Sequence, residues 1–270
     1  MARPLRLEVA NGIYHVVSRG NERGAIFRDD ADRCRFLELL GQVGNRYHWR
    51  ILAYCLMRNH YHLLVQTPEP NLARCMRQLN GVYAQWFNRR HARVGHLLQG
   101  RYGARLVQAD EHLLSVVRYI VRNPVAACLC ENPSAWRFSS HRATLGEEPP
   151  GYLDTRRLLS YYGPTCELAR ESYREHTERA GADREPADAV IAGNEAFVAG
   201  ALASHRQPPP PGVPRRYVRG PRPELSDLLA ERDWVSIERA HACGYSLREI
   251  ANELGCHAST VSRRLKRCAS

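Results

Sequence analysis

The sequence predicts an α+β protein: an antiparallel β-sheet with helices on one face, followed by a small all-α domain. In the first half of the 270-residue chain, short β-branched and aromatic runs alternate with longer segments whose apolar residues recur every three or four positions. Near the C-terminal end, two short apolar-faced segments flank Gly255, after a stretch rich in proline. The first pattern predicts the sheet with its helices, and the second predicts a separate helical domain.

The first six predicted elements are a strand, a helix, two strands, a helix and a strand. Asp29 or Asp30 is predicted to cap the first helix, and Asn71 the second. This order is typical of the ferredoxin-like, split βαβ arrangement. The predicted strands cover residues 13–18, 50–57, 60–66 and 105–108.

A third helix is predicted to start at Asp110, with Leu113, Val117 and Ile120 on its apolar face. Pro124 is expected to end or kink this helix, because proline lacks the N–H that a helix needs. The chain is then predicted to contain a helical extension, a Pro/Arg-rich linker and a C-terminal domain, over residues 146–200, 201–223 and 224–270.

The C-terminal domain is predicted to be a helix-turn-helix. Ser246 is expected to cap its first helix, Gly255 to form the turn, and a second helix to begin near Ala258. An ordinary helical hairpin is the alternative, but the positional match favours DNA binding. The polar side chains predicted to face a major groove are Ser259, Thr260, Ser262, Arg263 and Arg264.

The distribution of charge predicts a polyanionic partner. Residues 1–145 contain 21 arginines and 10 acidic residues, a formal charge of +11. Residues 74–105 contain seven arginines and no acidic residue, with Tyr83, Trp86, Phe87 and Tyr102 between them. Such aromatic rings either stack on unpaired bases or lie in the core, and for Trp86 and Phe87 the core is the expected place.

Several classes of protein are excluded. The longest apolar run, residues 51–57, is far shorter than the ~20 residues of a membrane helix, so no membrane partner is expected. The first eight residues contain no apolar segment typical of a secretion signal. The nine cysteines include no Cys-x-x-Cys pair, which favours reduced thiols and a cytoplasmic protein.

His60-Tyr61-His62 is the sharpest chemical motif. On a strand both imidazoles point to the same face, which makes half of a metal site, although such pairs are more often structural. Tyr119 and Asn123 are four residues apart, so a helix would place a nucleophile and a carbonyl ligand on one face. The alternatives are a core tyrosine and an asparagine that caps a helix.

Six segments occur in order along the chain: residues 12–21, 26–30, 57–65, 87–91, 95–102 and 118–125. Together they resemble the REP-associated tyrosine transposases, which belong to the bacterial HUH single-tyrosine transposases. Six ordered blocks are far more specific than any single motif, and a weaker likeness continues to about residue 200.

The resemblance implies an HUH nuclease fold over residues 1–145 and a metal-dependent endonuclease and strand transferase. The implied substrate is single-stranded DNA near palindromic hairpins, cut through a 5′-phosphotyrosine. Carried over to this chain, Tyr119 is the nucleophile, His60 and His62 are ligands of Mg²⁺ or Mn²⁺, and Asn123 is the third ligand.

The blocks also enclose the expected contacts with hairpin DNA, while the helix-turn-helix would add duplex DNA as a partner. A monomer and a homodimer are both compatible with the sequence. A non-catalytic DNA-binding regulator and a rolling-circle replication initiator are the alternative functions. The expected hairpin contacts are Arg19, Asn21, Arg58, Arg101 and Tyr102.

Overall fold

The computed structural model places the chain in two compact units, Leu7–Ala187 and a second unit that contains Asp188–Ser270. The residues that the structure describes are 7–109, 111–147, 150–181, 191–204, 225–230, 236–237, 240, 245, 247–257 and 259–261. The predicted helix start at Asp110 lies outside these residues.

The first unit is built on an antiparallel sheet with the strand order β2-β3-β1-β4. Each strand-helix-strand connection skips one strand, and the skipped strand runs antiparallel between the two, as in the predicted ferredoxin-like arrangement. The α+β prediction is therefore confirmed. The strands are β1 (Gly12–Arg19), β2 (Arg50–Leu56), β3 (His60–Thr67) and β4 (Gly103–Val107).

Two long helices, α1 (Asp30–Tyr47) and α2 (Leu72–Arg90), cover one face of this sheet. The Phe36 ring of α1 lies 4.6 Å from the Tyr61 ring of β3 and 5.2 Å from the Tyr83 ring of α2. All three rings are fully buried. Apolar burial of this kind is the main driving force for packing helices on a sheet.

The two predicted helix caps behave differently. Asp29 caps α1, because its Oδ1 accepts a hydrogen bond from the backbone N–H of Asp32 at 3.0 Å. Asn71 precedes α2 but makes no side-chain capping bond. Its Oδ1 instead accepts a hydrogen bond from Nε1 of Trp49, at 3.0 Å, so the capping prediction for Asn71 is wrong. The N–H of the buried Trp49 indole thus occupies the side-chain oxygen that would otherwise cap α2.

A third helix, α3 (Glu111–Ala126), lies on the opposite face of the sheet. The prediction of helices on one face thus holds for the six elements from β1 to β4. Residues 146–181 add to the core under α3, through Leu158, Leu159, Ala169 and Tyr173. Their helices are α5 (Thr155–Leu159) and α6 (Cys166–Glu178), preceded by α4 (His141–Leu145).

Pro124 does not end α3, which continues to Ala126. The proline is buried and lies in the last turn, where it removes one hydrogen bond to the carbonyl four residues earlier. The chain leaves the helix at Cys128, whose φ of 55° is left-handed. Asn123 therefore stays fully helical, and its carbonyl accepts a hydrogen bond from the N–H of Ala127 at 3.0 Å.

The described residues of the second unit include the strand β5 (Ile191–Ala192) and the helices α7 (Glu195–Ser204), α8 (Leu225–Leu228) and α9 (Leu247–Leu254). Gly255 adopts a φ of 66° directly after α9, as predicted for the turn, and residues 259–261 are helical again. Within residues 225–261, the described residues share a small apolar core formed by Leu229, Ile237, Ala240, Ile250, Ala251 and Val261.

Several predictions for this unit lie outside the described residues. They are the cap at Ser246, the start of a helix at Ala258, the major-groove residues Ser262, Arg263 and Arg264, and the linker from residue 205 to its end. Within the described ranges, no helix is long and apolar enough to cross a membrane. The seven cysteines that the structure describes are free thiols.

Two glycines inside helices give a matched test of the packing around α1. A methyl group on Gly41 would lie 2.7 Å from Cδ1 of Tyr152, whereas one on Gly81 in α2 would meet nothing within 4 Å. We expect Gly81→Ala to raise the free energy of unfolding by about 0.5–1 kcal/mol. Gly41→Ala should lower it by about 1–3 kcal/mol, because the ring must move. Urea unfolding measures both, and equal effects would contradict the packing described.

Candidate active site

Two imidazoles project from the start of β3, where a two-residue turn joins it to β2. The turn is closed by a 2.9 Å hydrogen bond from the N–H of Met57 to the carbonyl of His60. His60 lies opposite Arg19 of β1, and His62 lies opposite Val17, so all four side chains share one face of the sheet. The His60 and His62 rings are 5.0 Å apart. The predicted pair is thus formed on the face that α3 covers.

Helix α3 brings the other two predicted residues to this pair. Asn123 Oδ1 lies 3.2 Å from Nε2 of His60. The Tyr119 ring stands perpendicular to the His62 ring, with 5.4 Å between centroids. Tyr119 and Asn123 are both half-buried, one helical turn apart on the same face of α3. The structure therefore brings together Tyr119, His60, His62 and Asn123, which sequence analysis selected from two distant segments.

A third histidine, His15 of β1, belongs to the same cluster and was not predicted. Its Nε2 lies 2.9 Å from Nδ1 of His62, and the two rings stack with 5.2 Å between centroids. The His15 ring also lies 6.0 Å from the Tyr119 ring. The only sequence signal was alternation along β1, which places His15, Val17 and Arg19 on one face. This alternation points to His15 in particular only when the pairing of β1 with β3 is known.

Burial keeps these imidazoles neutral. Burial, with a smaller effect of Arg105, lowers the pKa of His15 to about 3. Burial is also the first cause of the lowered pKa of His62, to which the neighbouring His15 and His60 and the charges of Arg19 and Arg105 add. Burial is the first cause of the lowered pKa of His60 and Arg19 adds to it, whereas the hydrogen bond that the protonated ring donates to Asn123 Oδ1 raises the pKa. Neutral rings keep the lone pair that a metal ion needs.

The donor atoms fit a divalent cation. Asn59 Oδ1 lies 2.7 Å from Nδ1 of His60 and can only accept, so Nε2 of that ring keeps its lone pair. This lone pair faces Asn123 Oδ1 at 3.2 Å. Neighbouring ligands in an octahedron with bonds of about 2.1 Å lie about 3 Å apart. Nε2 of His62 is buried and has no hydrogen-bond partner within the described part of the chain.

The amide of Asn123 is needed for such a site. No group of three or more His, Cys, Asp or Glu side chains among the described residues is placed to hold a metal ion. Two imidazole nitrogens and one amide oxygen form a neutral ligand set, which is compatible with a hard divalent ion that also binds phosphate oxygens.

Three loops meet beside the two histidines and carry the predicted DNA contacts. The N–H of Gly20 donates to the carbonyl of Asn59 at 2.8 Å, and the N–H of Asn21 donates to that of Leu97 at 2.9 Å. The N–H of Gln99 donates to the carbonyl of Arg19, also at 2.9 Å. These bonds join residues 19–27, 58–59 and 97–101, which we call the loop cluster. Three blocks separated in sequence thus form one surface.

The exposure of the predicted DNA contacts differs. Arg19, Asn21, Arg58 and Arg101 are exposed on the loop cluster. Tyr102 follows the cluster and is only 9% exposed, so an unpaired base would reach little of its ring. In the second unit Ser259 is exposed and Thr260 is half-buried.

Of the remaining aromatic side chains in the arginine-rich stretch, Tyr83 and Phe87 are buried and Trp86 is half-buried, which confirms the core prediction for Phe87. Arg105 was not singled out as a site residue, although it lies opposite His15 on the face of the site.

Comparison with known proteins gives two family matches. A family model described as "Transposase IS200 like" matches residues 8–123, and one described as "Helix-turn-helix domain" matches residues 229–268. A Haemophilus influenzae protein named as a REP-associated tyrosine transposase is 31% identical over 121 residues, which cover 40% of this chain and 69% of that relative.

A solved structure of a REP-associated tyrosine transposase bound to a REP hairpin is similar with 17% sequence identity and a TM-score of 0.48. The similarity covers 56% of this chain and 90% of that chain.

The transposase match begins before β1 and ends at Asn123, so it contains all of the residues that converge at the site. The extent of the likeness to the Haemophilus influenzae relative points to the same family. This chain therefore belongs to the REP-associated tyrosine transposase family and carries a helix-turn-helix domain C-terminal to its transposase domain in the sequence.

Proposed function

We propose that this transposase cuts and rejoins single-stranded DNA at palindromic hairpins, with Tyr119 as the nucleophile. The observation that carries the proposal is the convergence of one phenol, two neutral imidazoles and one amide oxygen on the face of a basic sheet. A phenol beside a candidate cation site is an arrangement suited to nucleophilic attack on phosphorus.

The step is a phosphoryl transfer. The Tyr119 oxygen forms a bond to phosphorus and loses its proton, while the bond from phosphorus to the 3′-oxygen breaks and that oxygen leaves as a 3′-hydroxyl. The 5′-phosphate stays on Tyr119 as a phosphodiester, so a second 3′-hydroxyl can reverse or redirect the step. Arg19 and Arg105, which lower the pKa of His62, create a positive potential that favours a phosphate at this place.

His60, His62 and Asn123 would hold Mg²⁺ or Mn²⁺. His62 would bind through Nε2, because its Nδ1 faces His15 at 2.9 Å. A hydrogen bond between these atoms fixes the His62 ring and its tautomer, as is usual for histidine ligands. When bound, the cation would polarise the scissile phosphate and stabilise the charge that develops on its oxygens.

The loop cluster would bind the single-stranded or hairpin substrate, since its exposed arginines lie on the loops beside the two histidines. The helix-turn-helix domain would bind duplex DNA, in line with the match to residues 229–268. A non-catalytic regulator would use the same domain, and the first experiment below separates it from the proposed enzyme.

Tyr119→Phe removes the proposed nucleophile and keeps the ring that contacts His62. We expect it to abolish covalent protein–DNA adducts on hairpin oligonucleotides, measured by denaturing gel electrophoresis, while hairpin affinity changes less than about threefold. Tyr47→Phe is the matched control, because Tyr47 donates its hydroxyl to Gln78. An undiminished adduct with Tyr119→Phe would refute the nucleophile. No adduct with the unaltered protein on any hairpin or metal would favour the regulator.

His62→Ala should abolish Mn²⁺ binding, measured by isothermal titration calorimetry, and with it metal-dependent cleavage. His15→Phe keeps the ring stack and removes the nitrogen that faces His62. We expect it to weaken Mn²⁺ binding by about 10- to 100-fold. The exposed His112 supplies the control variant His112→Ala. Unchanged Mn²⁺ affinity in His62→Ala would place the metal elsewhere.

Alanine at Arg19, Arg58 or Arg101 should weaken hairpin binding. For each phosphate that the variant no longer binds, the slope of log affinity against log salt should fall by about 0.7 on a single strand. Fluorescence anisotropy between low and moderate salt measures the slope. Arg35→Ala is the control, because Arg35 lies on α1 and pairs with Glu38 at 2.9 Å. If all three variants keep the original slope, the DNA does not bind at the loop cluster.

A further inference from the structure

Two arginines directly precede the site residues of α3. Arg118 comes before Tyr119, and Arg122 comes before Asn123, so the two pairs repeat at one helical turn. Beside the nucleophile of a DNA enzyme, an arginine is a natural ligand of phosphate. The structure gives both guanidinium groups other contacts.

Both arginines bind carbonyl groups at the C-terminal end of α6. The guanidinium of Arg118 donates to the carbonyls of His176 and Arg179, the latter at 2.8 Å. That of Arg122 donates to the carbonyl of Thr177 at 3.2 Å, and its side chain is buried. The last carbonyls of a helix lack donors within the helix and carry a partial negative charge. The two cations therefore cap α6 from the side of α3.

Helix α6 is itself fixed to the core. Ala169 and Tyr173 belong to the apolar core under α3. The Tyr173 hydroxyl lies 3.1 Å from Nδ1 of the buried His141 on α4. The Thr177 hydroxyl donates to the carbonyl of Tyr173 at 2.7 Å. The carbonyls that Arg118 and Arg122 bind thus belong to a helix that is held on the core, which makes them firm points of attachment for α3.

We infer that Arg118 and Arg122 are positioning residues. They fix the rotation of α3 about its axis and its position along that axis, and so place Tyr119 and Asn123. The inference rests on the proposed function. Two attachments four residues apart are separated by about 6 Å along a helix axis, enough to resist both turning and sliding. Consecutive residues differ by about 100° around the axis, so the arginines reach α6 while Tyr119 and Asn123 face the histidines.

Helix α6 would thereby contribute to the activity of the transposase by holding α3 in place. This helix lies beyond residues 8–123, which match the transposase family, and in the region predicted from sequence as a helical extension. A misplacement of about 1 Å at a reacting group can cost about 100-fold in rate. Helix α6 would thus control the rate through two arginine side chains of α3.

Arg118→Lys is the most informative variant, since it keeps the charge but removes the fork that reaches two carbonyls. We expect single-turnover adduct formation at saturating hairpin DNA to slow by about 10- to 100-fold. The dissociation constant for the hairpin and its salt slope should stay within about twofold of the original. Arg122→Lys should behave alike. If the arginines bound phosphate instead, the lysine variants would largely keep the rate of adduct formation, and alanine variants would reduce the salt slope of hairpin affinity.

Two further measurements separate positioning from reduced stability and from failure of the proposed function. Gly41→Ala destabilises the unit from the other face of the sheet and should keep the adduct rate. Hydrogen exchange of the backbone amides of α3 should rise in both lysine variants, and this readout needs no catalysis. If the unaltered protein forms no adduct, hydrogen exchange in the lysine variants still tests whether the two arginines hold α3 in place. An unchanged adduct rate, or unchanged exchange in α3, would overturn the inference.

Discussion

The site depends on the register between β1 and β3. His62 lies opposite Val17, and His60 lies opposite Arg19, over a ladder of eight paired residues. Because side chains alternate between faces, a shift of one residue would turn the imidazoles of β3 toward α1 and α2. Tyr61, now buried between those helices, would then face α3. The aromatic packing around Tyr61 therefore stabilises the orientation of His60 and His62 toward α3.

The same register explains the electrostatics of the site. It aligns Arg19 with His60, while the pairing of β1 with β4 sets Arg105 beside His15. Burial and these two charges both disfavour protonated imidazole, and they act together on His62. A set of uncharged candidate ligands next to two arginines would leave a positive potential around any bound cation. Such a potential favours a phosphodiester, and it repels additional cations once the site is filled.

Local patterns were sufficient to predict the strand with His60 and His62 and the helix with Tyr119 and Asn123, because each depends on spacing within a few residues. What escaped sequence analysis depends on partners far along the chain. His15 is 47 residues from His62, and Arg122 is 55 residues from Thr177. Asn71 was expected to cap α2, but Trp49 binds its side-chain oxygen. Pro124 does not end α3, because in the last turn it costs only one hydrogen bond, while the predicted kink stays a prediction.

The position of Pro124 has a consequence for the ligand set. A helix that ended before this residue would leave Asn123 in an irregular backbone, and its amide would no longer stay one turn from Tyr119. Continuation to Ala126 keeps Asn123 helical, and its carbonyl is bonded to the N–H of Ala127. The candidate ligand and the candidate nucleophile then move as one rigid segment. Any displacement of α3 would change the distances of both Tyr119 and Asn123 from the β3 histidines. The attachment of α3 to α6 would therefore affect both metal binding and the attack of Tyr119 on the phosphate.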